Sequence, residues 1–140
     1  MSRGRTLQRD ATRSAVSAET GRRLLVVEDD FVLRAHLSEL LMQQGFEVSC
    51  AADGVEALER LEREPRPAAI VLDVVLPRMS GLSFRQEQLR SPAFRDIPTI
   101  AFTAIRNAPD LEALGFHAVI AKPANFDRLF EVLASICPAA

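Results

Sequence analysis

Long apolar runs are missing from this chain. Nothing in its 140 residues approaches the roughly 20 consecutive apolar residues needed to cross a bilayer, so the sequence reads as having no membrane association. The N-terminus is rich in Arg, Ser and Thr but has no apolar segment behind its charges, which excludes a secretory signal and points to a cytoplasmic protein. A transit peptide is the alternative, and Asp10 and Glu19 weigh against it. Cysteine is scarce: Cys50 and Cys137 form no Cys-x-x-Cys pair and read as two reduced thiols. Histidine is scarce too, and His36 and His117 have no partner ligands at metal-binding spacing. Lysine occurs once, as Lys122, among 17 basic residues.

What is present is enough for one domain with a real core. The net charge of −2 hides an asymmetry, because residues 1–23 carry six Arg against two acids while the remainder is acidic. Residues 1–22 lack hydrophobic periodicity and read as a disordered basic tail. Such a tail is either a solvated extension or an arm able to touch nucleic acid. The acidic body makes DNA an unsuitable partner for the domain itself.

From residue 24 the pattern alternates between strands and helices. Leu24–Val27 is a short apolar run, followed by Leu33, Leu37, Leu40 and Leu41 at helical spacing, with Asp30 as a cap before them and Gly45 closing the helix. Phe46–Ala51 reads as a second strand. Asp53 and Glu56 form a capping box for a helix with Ala57, Leu58 and Leu61 inward, ended by Pro65 and Pro67. Ala69–Leu72 is the third strand, a helix spans roughly 82–89, and Pro98–Phe102 is the fourth strand. A short helix begins near Pro109 and ends at Gly115. Ala118–Ala121 is the fifth strand, and Asn125 caps a last helix carrying Phe126, Leu129, Phe130, Leu133 and Ile136 on one face. The phenylalanines, Phe31 and Phe102 among them, read as core. The strands are continuous apolar runs, the mark of a parallel sheet covered on both faces. The pattern predicts an α/β domain over residues 23–138, a doubly wound five-stranded parallel sheet in a three-layer α/β/α sandwich.

Sites in such sheets form at the carboxyl ends of the strands. The residues just past them are Glu28 and Asp29 after the first strand, Asp73 after the third, Thr103 after the fourth and Lys122 after the fifth. Three carboxylates around one point suit a hard divalent cation with oxygen ligands, such as Mg²⁺. A metal beside a carboxylate and an ammonium is apparatus for phosphoryl transfer, and a carboxylate on the central strand can serve as nucleophile. Keeping one lysine in an arginine-biased chain fits a place where a compact point charge is needed.

The segments VVEDD, IVLDVVLP, AFTA and AKP, in that order and at the strand ends, resemble the receiver domain of two-component response regulators, with its flavodoxin-like (CheY-like) fold. The resemblance implies that Asp73 accepts a phosphoryl group from a histidine kinase or histidine phosphotransfer protein. It implies that Asp29 binds Mg²⁺ directly, Glu28 largely through water, and Val75 through its backbone carbonyl. Thr103 and Lys122 match the hydroxyl and the ammonium that contact the phosphoryl oxygens, and Pro77 and Gly81 match the loop after the phosphoacceptor. The implied protein is a switch and not an enzyme, beyond transfer onto its own aspartate and slow loss of the group. It is a monomer or a phosphorylation-dependent dimer. Because the chain stops just after its last helix, a single-domain regulator without an output domain is expected.

Departures from the family are equally specific. The aromatic switch position three residues before the lysine is Val119, the segment from Thr103 to Lys122 is short, so that the fourth helix is shortened, and the residue after Lys-Pro is Ala124. Val75 and Ile105 occupy the positions flanking the approach of a hydrolytic water, and two aliphatic side chains there imply a long-lived phosphoryl group. A pseudo-receiver that docks proteins without taking phosphate is the alternative, against which the retained Asp29, Asp73, Thr103 and Lys122 argue. A haloacid-dehalogenase type phosphatase would need a second acid where Val75 stands.

Overall fold

The computed structural model describes residues 22–75, 79–104, 113–122 and 126–137. Its elements are β1 (Arg23–Val27), α1 (Phe31–Gln43), β2 (Glu47–Ala51), α2 (Gly54–Arg63), β3 (Ala69–Leu72), α3 (Gly81–Arg90), β4 (Thr99–Thr103), β5 (Ala118–Ala121) and α4 (Phe126–Ile136). The short helix expected near Pro109, the position of Pro77 and the cap expected at Asn125 lie outside the described residues. The turn at Gly115 is described, and its φ of 63° is one that glycine adopts without strain. Among the described residues, no helix is long and apolar enough to cross a membrane.

Local signals set the helix boundaries. Asp30 accepts a hydrogen bond from the Leu33 N–H at 3.1 Å, Asp53 from Glu56 at 2.8 Å and Ser80 from Ser83 at 3.1 Å, so α1, α2 and α3 each start on a side-chain cap. The capping box of α2 closes one residue early, since the Glu56 carboxylate accepts from the Ala52 N–H at 2.8 Å. At the end of α1 the Gly45 N–H donates to Met42 and the Phe46 N–H to Leu41, a Schellman closure that Gly45 permits with φ 94°.

All five strands are parallel, in the order β2-β1-β3-β4-β5. This is the doubly wound sandwich that the alternating pattern predicts. Successive side chains along a strand face opposite sides of the sheet, and the two cores divide accordingly. Leu24, Val26 and Val71 pack with Leu37, Leu41, Leu129 and Leu133 of α1 and α4. Leu25, Val27, Ile70 and Leu72 pack with Ala57, Leu61 and Phe84 of α2 and α3. Phe31 departs from the sequence reading: it is 71% exposed and not core. As the first residue of α1 it stands off the stripe of Leu37 and Leu41 that faces the sheet.

Arg22, assigned to the tail on composition, is anchored. Its guanidinium donates to the carbonyls of Gly45, Gln44 and Cys137 and lies 4.1 Å from the centre of the Phe46 ring. One arginine thereby caps the chain ends of α1 and α4 together.

Candidate functional site

The sheet delivers its exit residues to one rim by extending its hydrogen-bond ladder one residue past the strands. The Glu28 N–H donates to the Ala51 carbonyl, Asp73 to Val27 and Lys122 to Thr103, each at 3.0 Å. The acids of β1 and β3 therefore stand side by side where the strand order reverses, the usual ligand position of an open α/β sheet. Thr103 ends β4 beside them and is fully buried.

One oxygen from each of Glu28, Asp29 and Asp73 lies within 4.8 Å of the others. Glu28 and Asp73 are buried, while Asp29 is exposed. Lys122 reaches between them. Its Nζ lies 2.5 Å from Glu28 Oε1 and 2.9 Å from Asp73 Oδ2. The remaining oxygens of the two acids are also held: Asp73 Oδ1 accepts the Val75 N–H and Glu28 Oε2 accepts the Asp30 N–H, both at 3.0 Å. Val75 stands exposed at the rim, directly beyond Val74. The Asp30 carboxylate caps α1, the separate role expected of it.

Charge at this rim is unbalanced, with three carboxylates around one ammonium. Burial pushes the Glu28 carboxyl above its ordinary range, and the charge of Asp73 adds to the rise against the opposing pull of Lys122 and the Asp30 N–H. Burial pulls Lys122 down, but its hydrogen bonds and charge attraction to Glu28 and Asp73 outweigh that, so the ammonium is held more firmly than in water.

The structure thus brings Glu28, Asp29, Asp73 and Lys122 together and sets Thr103 and Val75 on the same rim. One contributor escapes sequence reasoning. Arg34, one turn into α1, donates to the carbonyls of Glu28 at 2.9 Å and Asp29 at 3.4 Å, fixing the acidic loop. Its only signal is its place four residues after the cap. Gly81, matched in sequence to the loop after the phosphoacceptor, has a steric reason: a Cβ there would lie 2.3 Å from the Asp73 carbonyl oxygen, so α3 can start against the Asp73 backbone only with glycine.

Comparison with known proteins gives a consistent picture. The family model for the response regulator receiver domain matches residues 24–134. The response regulator MprA of Mycobacterium leprae (strain TN) is 46% identical over 82 residues, which cover 59% of this chain and 35% of that protein. MprA of Mycobacterium avium (strain 104) is 45% identical over 82 residues, with 59% and 35% covered. The chain therefore spans about a third of the length of these curated relatives. Among solved structures, the receiver domain of the sensor histidine kinase PA1611 from Pseudomonas aeruginosa PAO1, with a magnesium ion coordinated in its active site cleft, is 31% identical. It has a TM-score of 0.76 over 85% of this chain and 99% of that one. The response regulator TrrA of Thermotoga maritima, in complex with Mg²⁺ and BeF, is 30% identical with a TM-score of 0.73, covering 82% and 98%. The chemotaxis protein CheY4 of Vibrio cholerae is 29% identical with a TM-score of 0.74, covering 81% and 97%.

Proposed function

The chain belongs to the response regulator receiver domain family, and from that premise we propose that it is a switch whose two states differ by a phosphoryl group on Asp73. The observation that carries this reading is the Lys122 ammonium spanning Glu28 and Asp73 within the three-acid cluster. An acid that serves only structure does not need two acidic neighbours on a solvent-facing rim, whereas a phosphoryl acceptor needs charge neutralisation at that point.

The residues present fit Mg²⁺. Glu28, Asp29 and Asp73 offer hard oxygen donors close enough to share one ion. The Val75 carbonyl completes the set proposed to hold it. The ion, when bound, supplies positive charge that balances the acids and the transferring group. In the proposed transfer an Asp73 carboxylate oxygen attacks phosphorus of a phosphohistidine, forming the O–P bond as the N–P bond breaks. The electron pair of that bond stays on the imidazole nitrogen. The Val75 N–H holds the other Asp73 oxygen at 3.0 Å and thereby orients the carboxylate. Lys122 is placed to follow the new negative charge, and Thr103 to bind a phosphoryl oxygen from the adjoining strand end.

The phosphodonor is a histidine kinase or a histidine phosphotransfer protein. Phe31 and Val32, 71% and 73% exposed at the start of α1, stand beside the acidic loop and give such a partner an apolar contact next to Asp73. The test is incubation with radiolabelled acetyl phosphate or an autophosphorylated kinase. The reading expects Mg²⁺-dependent labelling of the wild type and none of Asp73→Asn. Undiminished labelling of Asp73→Asn contradicts the choice of nucleophile.

A further inference from the structure

The core holds a charge that the rim chemistry does not use. Arg85, in the second turn of α3, is only 4% exposed. Its Nε donates to the Leu114 carbonyl and its Nη2 to the Gly115 carbonyl, both at 2.9 Å. Its Nη1 donates to Gln88 Oε1 at 2.8 Å and to Thr99 Oγ1 at 3.1 Å. The guanidinium also lies 5.3 Å from the centre of the Phe116 ring. Gln88 is fully buried and spends its own N–H groups on the carbonyls of Phe94 and Ile97. Among the described residues no carboxylate joins this cluster, so the cation is held by neutral oxygens and an aromatic face.

Such a cation constrains motion. Drawing Leu114 and Gly115 away from α3 would leave a buried guanidinium short of partners, the costliest kind of unpaired group. The turn before β5 and α3 therefore move together or stay together. Both ends of this link lead to Asp73. Gly81, at the start of α3, donates to the Val74 carbonyl at 3.1 Å and lies against the Asp73 backbone. On the other side the His117 N–H donates to the Thr99 carbonyl at 2.8 Å, β5 follows, and Lys122 returns to Asp73. Val119, on β5, is an exposed aliphatic residue that offers no ring to swing inward.

Taking Asp73 as the phosphoacceptor, we infer that Arg85 is a positioning residue that locks the turn 114–115 to α3, so that a change at Asp73 reaches β5 through α3. The signal then enters at Gly81, crosses at Arg85 and emerges at the turn before β5. The link is a discrete packed element and not a diffuse path, which makes it open to direct measurement.

The experiment follows amide hydrogen exchange in the full chain, with and without Mg²⁺ and beryllofluoride, in wild type and Arg85→Met. In wild type, beryllofluoride should change exchange both in α3 and in residues 113–121. In Arg85→Met the α3 response should persist while that of 113–121 falls by about tenfold, and basal exchange of 113–121 should rise by a similar factor. Labelling of Asp73 by acetyl phosphate should stay within about twofold, since Arg85 touches none of the reacting groups. If Arg85→Met does not fold, Arg85→Lys carries the same comparison: the ammonium keeps the charge but cannot hold both carbonyls in a fork, and the 113–121 response should weaken. An unchanged response of 113–121 in the folded variant overturns the inference and leaves the phosphorylation reading standing. Absence of any response or labelling in wild type overturns that reading and the inference with it.

Discussion

Lys122 shows how much a single side chain decides here. A compact ammonium fits between Glu28 Oε1 and Asp73 Oδ2 in a site where its own side chain is 15% exposed. The planar guanidinium of arginine is larger and cannot follow both a carboxylate and a new phosphoryl oxygen in that volume. Lys122→Arg should therefore keep the charge yet reduce the phosphorylation-dependent response by about tenfold or more, read as the beryllofluoride-induced change in exchange; wild-type switching would mean that Lys122 is an ordinary surface cation. Val75 carries a separate prediction. It is 56% exposed beside Asp73, and its aliphatic side chain can shield phosphorus without orienting a water. Val75→Asn should shorten the lifetime of the phosphoryl group by about threefold to tenfold, followed as loss of label after donor removal in Mg²⁺. Decay within seconds in the wild type, or no acceleration in the variant, contradicts this role. Arg34 was not legible as a site residue, because it acts on backbone carbonyls, and Gly81 was legible only as part of the loop after the phosphoacceptor, because its role rests on lacking a Cβ.

At the scale of elements, what could be read from sequence was local. Asp30, Asp53 and Gly45 act within three or four residues of themselves, so their caps follow from spacing alone. Phe31 did not follow, since an aromatic at the first position of a helix is placed by how the helix docks. Arg85 did not either, because a charged residue at a sheet-facing position of α3 looks like any solvated arginine until β4 and the turn 114–115 surround it. The end of α2 gives a further case. Glu64 accepts from Ser49 at 2.6 Å, pairs with Arg60 at 2.6 Å and with Arg23 at 2.9 Å, tying α2 to β1 and β2. Burial alone would raise its carboxyl, but Ser49, Arg60 and Arg23 together bring it below the ordinary range. A carboxyl depressed in the folded state stabilises above its unfolded pKa, and that contribution disappears as pH falls through the folded value. Glu64→Gln should therefore cost about 1 kcal/mol at neutral pH, allowing for partial solvent screening, and the gap from wild type should close in acid. Denaturant melts of both proteins across pH check this, and a gap that is constant with pH would assign the loss to packing instead of charge.

At the scale of the whole molecule, the described residues form a parallel sheet with the acidic cluster on one rim and the Arg22 contacts on the other. Arg22 gathers the ends of α1 and α4 far from the acids, while the ladder extension at Glu28, Asp73 and Lys122 gives the rim its geometry. The five parallel strands and the cover on both faces were legible because buried parallel strands read as continuous apolar runs, and the rim residues because they follow those runs directly. The polar contacts at Arg22, Arg34 and Arg85 were not, since partners 115, 6 and 30 residues away leave no periodic trace. The central claim is that this rim places a phosphoryl group on Asp73 and nowhere else. Reduction of the phosphorylated protein with borohydride converts an aspartyl phosphate to homoserine, which peptide mass spectrometry then locates. The account predicts homoserine at position 73 alone, dependent on Mg²⁺ and absent in Asp73→Asn. Homoserine at another aspartate, or none in a protein shown to carry label, would contradict it.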